Sequence, residues 1–237
     1  MVFLVLVVVL VVTCAIHGAV GFGMNLLAVP VFIVVDPELV PGPVVALGLV
    51  LSVAMVVREG VVSWDKDLKW AVAGLVPGTA SALLLLRVVS SGALSVVIGV
   101  LVLLAVALSA VHLQLSPTRK VLTTAGAASG FMATAGGIGG PPLALVYAEA
   151  EGSRLRSNLA GFFVITAAAS LVALASTGDF SVHDLKMSLA LTPAVALGFA
   201  ASALLRPLVD EGGRIRACVL ALSSVAGLTA IVVGIVR

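Results

Sequence analysis

Apolar positions in this chain fall in long unbroken runs, not in the two- or four-residue rhythm of half-buried elements. No Asp, Glu, Lys or Arg occurs from Met1 to Val35. Further stretches free of those residues cover 39–57, 70–86, 88–118, 121–148, 157–178, 187–205 and 217–236. Short polar loops separate them, the most charged being REGVVSWDKDLK (58–69), SPTRK (116–120), EAEGSRLRSN (149–158) and RPLVDEGGRIR (206–216). Runs of this length that are apolar on every face predict membrane-spanning helices. No segment is long enough for a soluble domain, so residues 1–237 read as one membrane domain.

Two runs are interrupted. The first contains GAVGFGMNLLAVP (18–30), and the second contains GGIGGPP (136–142). As one helix, residues 1–35 would measure roughly 52 Å at ~1.5 Å per residue, against a hydrocarbon core of about 30 Å. The break therefore predicts a turn inside the membrane. Residues 2–17 and 24–35 would form arms of about 24 Å and 18 Å, neither needing to cross. In the second run, 121–135 would lead in, 136–142 would turn and 143–149 would return.

The pattern repeats. GFGMNLLAV (21–29) aligns with GIGGPPLAL (137–145) at a shift of 116 residues, which also places Pro77 on Pro193. Leu68-Lys69 falls within one residue of Leu185-Lys186. Each half, about 1–113 and about 119–237, thus holds a broken run followed by three ordinary spans.

Charge chooses the topology. If each broken run crosses once, seven Lys and Arg lie on one side and six on the other. If each is a re-entrant hairpin, one side collects Arg58, Lys66, Lys69, Arg119, Lys120, Arg154, Arg156, Arg206, Arg214 and Arg216. Only Arg87, Lys186 and Arg237 remain opposite. Cytoplasmic loops attract Lys and Arg, which favours the hairpins. The expected fold is an all-α polytopic membrane protein of two inverted repeats. Each repeat is a glycine-broken hairpin plus three transmembrane helices, and both termini lie outside the cell membrane.

Composition supports the class: 61% of residues are hydrophobic and 10% charged, with mean hydropathy +1.28. Soluble domains carry about 25% charged residues. Transmembrane barrels show alternating segments of about ten residues, unlike these runs. The net charge of +2 forms no basic stripe interleaved with aromatics, so no nucleic acid is expected. Cys14 and Cys218 read as small buried residues. The N-terminus lacks the basic region of a signal peptide, so 2–16 read as retained. LVVTC (10–14) is a poor lipid-attachment box, with Thr13 before Cys14. Trp64 and Trp70 read as interfacial anchors. His112 and His183 sit at span ends without a clear role, and GAASG (126–130) reads as a packing seam.

Candidate chemistry gathers at the two breaks. Paired breaks in inverted halves mark the binding site of secondary transporters. A helix N-terminus presents unpaired N–H groups and partial positive charge, and glycine admits a ligand to the backbone. The candidate substrate-binding residues are Gly21, Gly23, Asn25, Thr134, Gly136, Gly137, Gly139, Gly140 and Pro141. Asn25 would donate its amide to an anion or cap the second arm. His17 is the candidate for ion coupling. The preferred reading of it is a neutral ring bonded to a neighbouring carbonyl. The chain shows no nucleophile–base pair, no paired carboxylates and no metal-ligand cluster, so no enzyme, cofactor or metal is expected. The expected partners are a small anion and the bilayer, with a homo-oligomer left open.

GAVGFGMNLLAVPVF (18–32) followed by GFMATAGGIGGPPLALVY (130–147) resembles the paired glycine-rich signatures of the TauE/SafE family, across essentially the whole chain. That family's first run is commonly richer in glycine, and here Met24 and Asn25 take two of those places. The resemblance implies export of a small sulfur-containing anion such as sulfite or an organosulfonate, by alternating access. An anion channel, with TAGGIGG (134–140) as a carbonyl-lined filter, and a membrane assembly scaffold are the competing readings.

Overall fold

The computed structural model describes residues 1–60, 66–110, 115–147, 152–209 and 214–236. Trp64 and His112 lie outside the described residues, as do the side chains of Arg154, Arg206, Arg214, Arg216 and Cys218. Ten α-helices and one short 3₁₀ turn are described: α1 (Val2–Val20), α2 (Met24–Val35), α3 (Gly42–Glu59), α4 (Leu68–Val88), α5 (Ser91–Ala110), α6 (Arg119–Gly136), α7 (Pro141–Val146), α8 (Gly152–Thr177), α9 (Val182–Val209) and α10 (Arg214–Val236). Among the described residues there is no strand, as lipid demands of a chain whose backbone must satisfy itself within each segment.

Six of these helices are long and apolar enough to cross a bilayer: Val2–Val20, Gly42–Glu59, Leu68–Val88, Gly92–Ala110, Arg156–Thr177 and Val182–Leu205. The presence of α1 in this set corrects the expected short arm. Nothing in its apolar sequence stops the helix at residue 17, so it runs on to Val20 and measures about 28 Å. Its outer faces are apolar as well, like those of its neighbours: Val57, Val76, Leu197 and Leu204 are each more than half exposed. Such surfaces belong against acyl chains.

Close contacts establish the direction of each helix. Glu59 meets Arg156, and Gly42 at the other end of α3 meets Phe180, so α3 and α8 are antiparallel. Gly99 meets Gly227 and Gly234 meets Gly92, so α5 and α10 are antiparallel. By contrast α1 runs with α9, Gly198 lying on Val11 and Cys14 and Gly18 on Ser202. Likewise α4 runs with α6, Ala71 against Gly126 and Leu75 against Gly130. The GAASG seam packs as expected. A Cβ on Gly126 would come 1.9 Å from the Ala71 carbonyl oxygen, and one on Gly78 2.1 Å from that of Ala127. Small residues bring helix backbones this close in lipid. Exchanging α1–α5 for α6–α10 maps these pairings onto one another: α1–α9 onto α6–α4, with α3–α8 and α5–α10 onto themselves.

The broken runs are hairpins by the same contacts. Thr134 near the end of α6 meets Thr79 of α4 and Ser170 of α8, both well along their helices. Then α7 comes back, and Leu143, Val146 and Tyr147 join a core with Leu68, Leu122 and Leu159, at the opposite ends of α4, α6 and α8. In the first half α1 and α3 both end beside Arg58, which donates to the Gly18 carbonyl, so α2 between them must run the other way. The end of α10 lies away from Arg58, with Gly234 against Gly92 at the start of α5, and α1 starts at that same end because it runs with α3 and α9.

Candidate functional site

Two glycines stop the inward arms in the same manner. Gly21 (φ 102) closes α1 with its N–H on the His17 carbonyl, and Gly137 (φ 74) closes α6 on the Ala133 carbonyl. Both need the left-handed backbone that L side chains adopt only at a cost of about 1–2 kcal/mol. Each helix therefore ends within the protein interior, and its partner arm starts beside it.

Where the two breaks meet, they border a cavity of about 70 Å³. Phe22, Gly23, Met24 and Asn25 form one wall and Gly137, Ile138, Gly139, Gly140 and Pro141 the other. The middles of α3 (Gly48, Ser52) and α8 (Phe163, Thr166) complete it, with His17 at one edge. Among the described residues no Asp, Glu, Lys or Arg lines it. Thr166 donates to the Phe162 carbonyl at 2.8 Å and Ser52 to the Gly48 carbonyl at 2.7 Å. Their hydroxyl protons are committed to their own helices, as is common in membranes.

The two walls are joined directly. Asn25 Nδ2 donates to the Gly137 carbonyl at 2.5 Å, so the first break holds the second. One N–H of the Asn25 amide is thus engaged with Gly137, its second N–H remains available as a donor, and α2 has no side-chain cap at Gly23. His17 supplies the missing cap: Met24 N–H donates to its Nδ1 at 3.3 Å. The imidazole partner is thus an amide hydrogen and not the expected carbonyl. The reason is local, since the first N–H of a helix has no acceptor within the helix and takes the nearest one. The N–H groups of Asn25 and Leu26, next along α2, have no intrahelical acceptor either.

The second break contributes differently. α7 has six residues, too few for a helix dipole of consequence, so the expectation of two facing helix N-termini is corrected to one. Of the expected site residues, Gly23, Asn25, Gly137, Gly139, Gly140, Pro141 and His17 border the cavity and Gly21, Thr134 and Gly136 do not. Gly21 packs under the aliphatic part of Arg156. Thr134, fully buried, bonds with Ser170 at 2.8 Å and Thr79 at 3.4 Å, tying α4, α6 and α8 together. Gly136 faces Ile98 and Leu101 of α5. Ser52, Phe163 and Thr166 were missed. Nothing in an uninterrupted span marks which turn will face a cavity, and only Gly48, four residues before Ser52, hinted at close approach.

At the Arg58 end an ionic cluster ties both halves. Glu59, its side chain 7% exposed, holds Arg58 at 3.2 Å and Arg156 at 3.4 Å. Arg58 also donates to Ser202 Oγ at 2.6 Å and lies 4.2 Å over the Phe199 ring. Arg119 and Lys69 flank the ring of Trp70 at the start of α4. Among the described residues no three His, Cys, Asp or Glu side chains converge as metal ligands, and Cys14 is a buried free thiol.

No curated protein and no solved structure matches the chain. The profile of the family described as "Sulfite exporter TauE/SafE" matches residues 5–230, nearly the whole length. Its members are transporters and not enzymes. The chain, with its paired glycine breaks and, among the described residues, six helices long and apolar enough to cross a membrane, belongs to the TauE/SafE sulfite exporter family of multi-pass membrane transport proteins.

Proposed function

We propose that this protein exports a small oxyanion, sulfite or an organosulfonate, by alternating access through the cavity between its two glycine breaks. The observation that carries the reading is an uncharged cavity bordered by both breaks. The N–H groups at the start of α2 supply positive potential without a fixed cation. An anion held by partial charges can leave as readily as it arrives, which a buried arginine would hinder. Candidate ligating positions are Gly23, Asn25, Gly137, Gly139, Gly140 and Pro141, with His17 at the edge.

The same reading takes residues about 1–113 and 119–237 as inverted repeats. Its support is that mates α3 and α8, and α5 and α10, run antiparallel, as an axis in the membrane plane requires. The arginine-rich end then faces the cytoplasm and both termini face outward. Each negative charge gains about 2.3 kcal/mol per 100 mV on leaving a cell that is negative inside, so export needs no coupled ion. Rocking of the halves would open and close the Glu59 cluster. The test is efflux from proteoliposomes loaded with sulfite, sulfate, taurine or a carboxylate. Saturable sulfite or sulfonate efflux supports the reading, and carboxylate-only efflux or unitary channel currents refute it.

A further inference from the structure

Two buried polar atoms of the cavity residues have no protein partner among the described residues: His17 Nε2 and Asn25 Oδ1. The hydrogen bond at the other end of each group fixes what the free atom offers. His17 Nδ1 accepts from Met24 N–H. A nitrogen that accepts carries no proton, so the ring proton sits on Nε2 and that atom is a donor. Asn25 turns its nitrogen to the Gly137 carbonyl. A carbonyl only accepts, so the amide cannot be flipped: its nitrogen keeps a second N–H, and its oxygen is left as an acceptor without a partner among the described residues. His17 is 8% exposed. Both groups flank the start of α2, where the N–H groups of Asn25 and Leu26 add further donors.

A fully ionised oxyanion offers acceptors alone. It suits His17 Nε2 and the backbone N–H groups but meets Asn25 Oδ1 lone pair to lone pair. A buried acceptor left without a partner is penalised, by about tenfold in affinity or more. We propose that the cavity selects an anion that brings its own hydrogen-bond donor. One anionic oxygen sits on His17 Nε2–H, and one O–H or N–H of the same molecule sits on Asn25 Oδ1. Two sources supply that donor: the proton of a singly protonated oxyanion, or a hydroxyl or ammonium group on an organic tail. This rests on the anion-transport reading above and adds a rule about which anions, and which protonation state, are carried.

The experiment is calorimetric titration of the purified full-length protein. Methanesulfonate, which has no donor, is compared with 2-hydroxyethanesulfonate and with taurine. Sulfite is titrated on both sides of its second ionisation. If the tail is the source, the hydroxyl or ammonium compound binds at least about tenfold tighter than methanesulfonate. If the proton is the source, sulfite affinity falls as the dianion forms. Asn25→Leu brings these ratios close to one, whereas His17→Phe weakens every probe by a similar factor and leaves the ratios standing. Equal binding of the three sulfonates, with sulfite affinity level or rising across its ionisation, overturns the proposal while leaving anion binding in place. If no probe binds, the anion reading itself fails and this inference with it.

Discussion

Gly137→Ala puts a methyl group where the second break can least hold one. The residue sits at φ 74, where an alanine is strained by about 1–2 kcal/mol relative to glycine. The new Cβ would also lie 2.5 Å from Val44 Cγ1, roughly 1 Å inside ordinary carbon contact at ~3.5 Å. Val44 is fully buried and has nowhere to swing, so overpacking adds about 1–3 kcal/mol. The sum, about 2–5 kcal/mol, is a large share of a stability of about 5–15 kcal/mol. The two parts separate by a second substitution. Val44→Ala alone opens a cavity and destabilises the wild type, but in the Gly137→Ala background it removes the clash and stabilises. Thermal unfolding of the four purified proteins in one detergent reads this change of sign directly. Sulfite efflux should fall in Gly137→Ala, because the carbonyl that Asn25 grips shifts with the turn. A Gly137→Ala protein as stable as wild type, or a double variant no better than the single one, would refute the reasoning.

Three further perturbations test other parts of the structure. Gly126→Ala drives a Cβ to 1.9 Å from a backbone oxygen, so α4 and α6 must separate. A loss of about 1–3 kcal/mol is expected, and an unchanged unfolding temperature would count against the seam. Gly139→Val crowds Ala133, whose Cβ lies 2.8 Å from the first added carbon, and fills the second wall of the cavity. It should abolish substrate-induced thermal stabilisation while circular dichroism stays helical, and wild-type stabilisation would remove Gly139 from the site. Glu59→Gln leaves Arg58 and Arg156 without their shared carboxylate. A cost of about 1–2 kcal/mol is expected, between the values for exposed and buried pairs. Stability equal to wild type would show that the cluster contributes no net energy to the fold.

Much of this architecture was legible along the chain because lipid restricts the options. A segment without charge and longer than the hydrocarbon is thick has to break, and glycine marks where. The breaks, which the structure places at 21–23 and 137–140, were therefore legible to within a few residues from length and glycine content, as was the seam at 126–130. The length of α1 was not, because valine and alanine give no stop signal before Gly21. The short α7 was legible in outline, since Pro141 and Pro142 announce a helix start, though not its end after six residues.

What the sequence by itself determined was the membrane class, the family and the two breaks. Each of these follows from local composition read against bilayer thickness. What only the tertiary structure decided was which polar atoms are spent and which are left free. Asn25 and Gly137 stand 112 residues apart, and nothing local tells an asparagine that its nitrogen will be taken by a distant carbonyl. His17 became a cap because Met24 N–H came within reach, and Thr134 bonds to hydroxyls of α4 and α8 and does not border the cavity. A hydrogen bond commits a donor to one partner at about 3 Å, so the chemistry of the cavity is settled by three-dimensional neighbours and not by residue type.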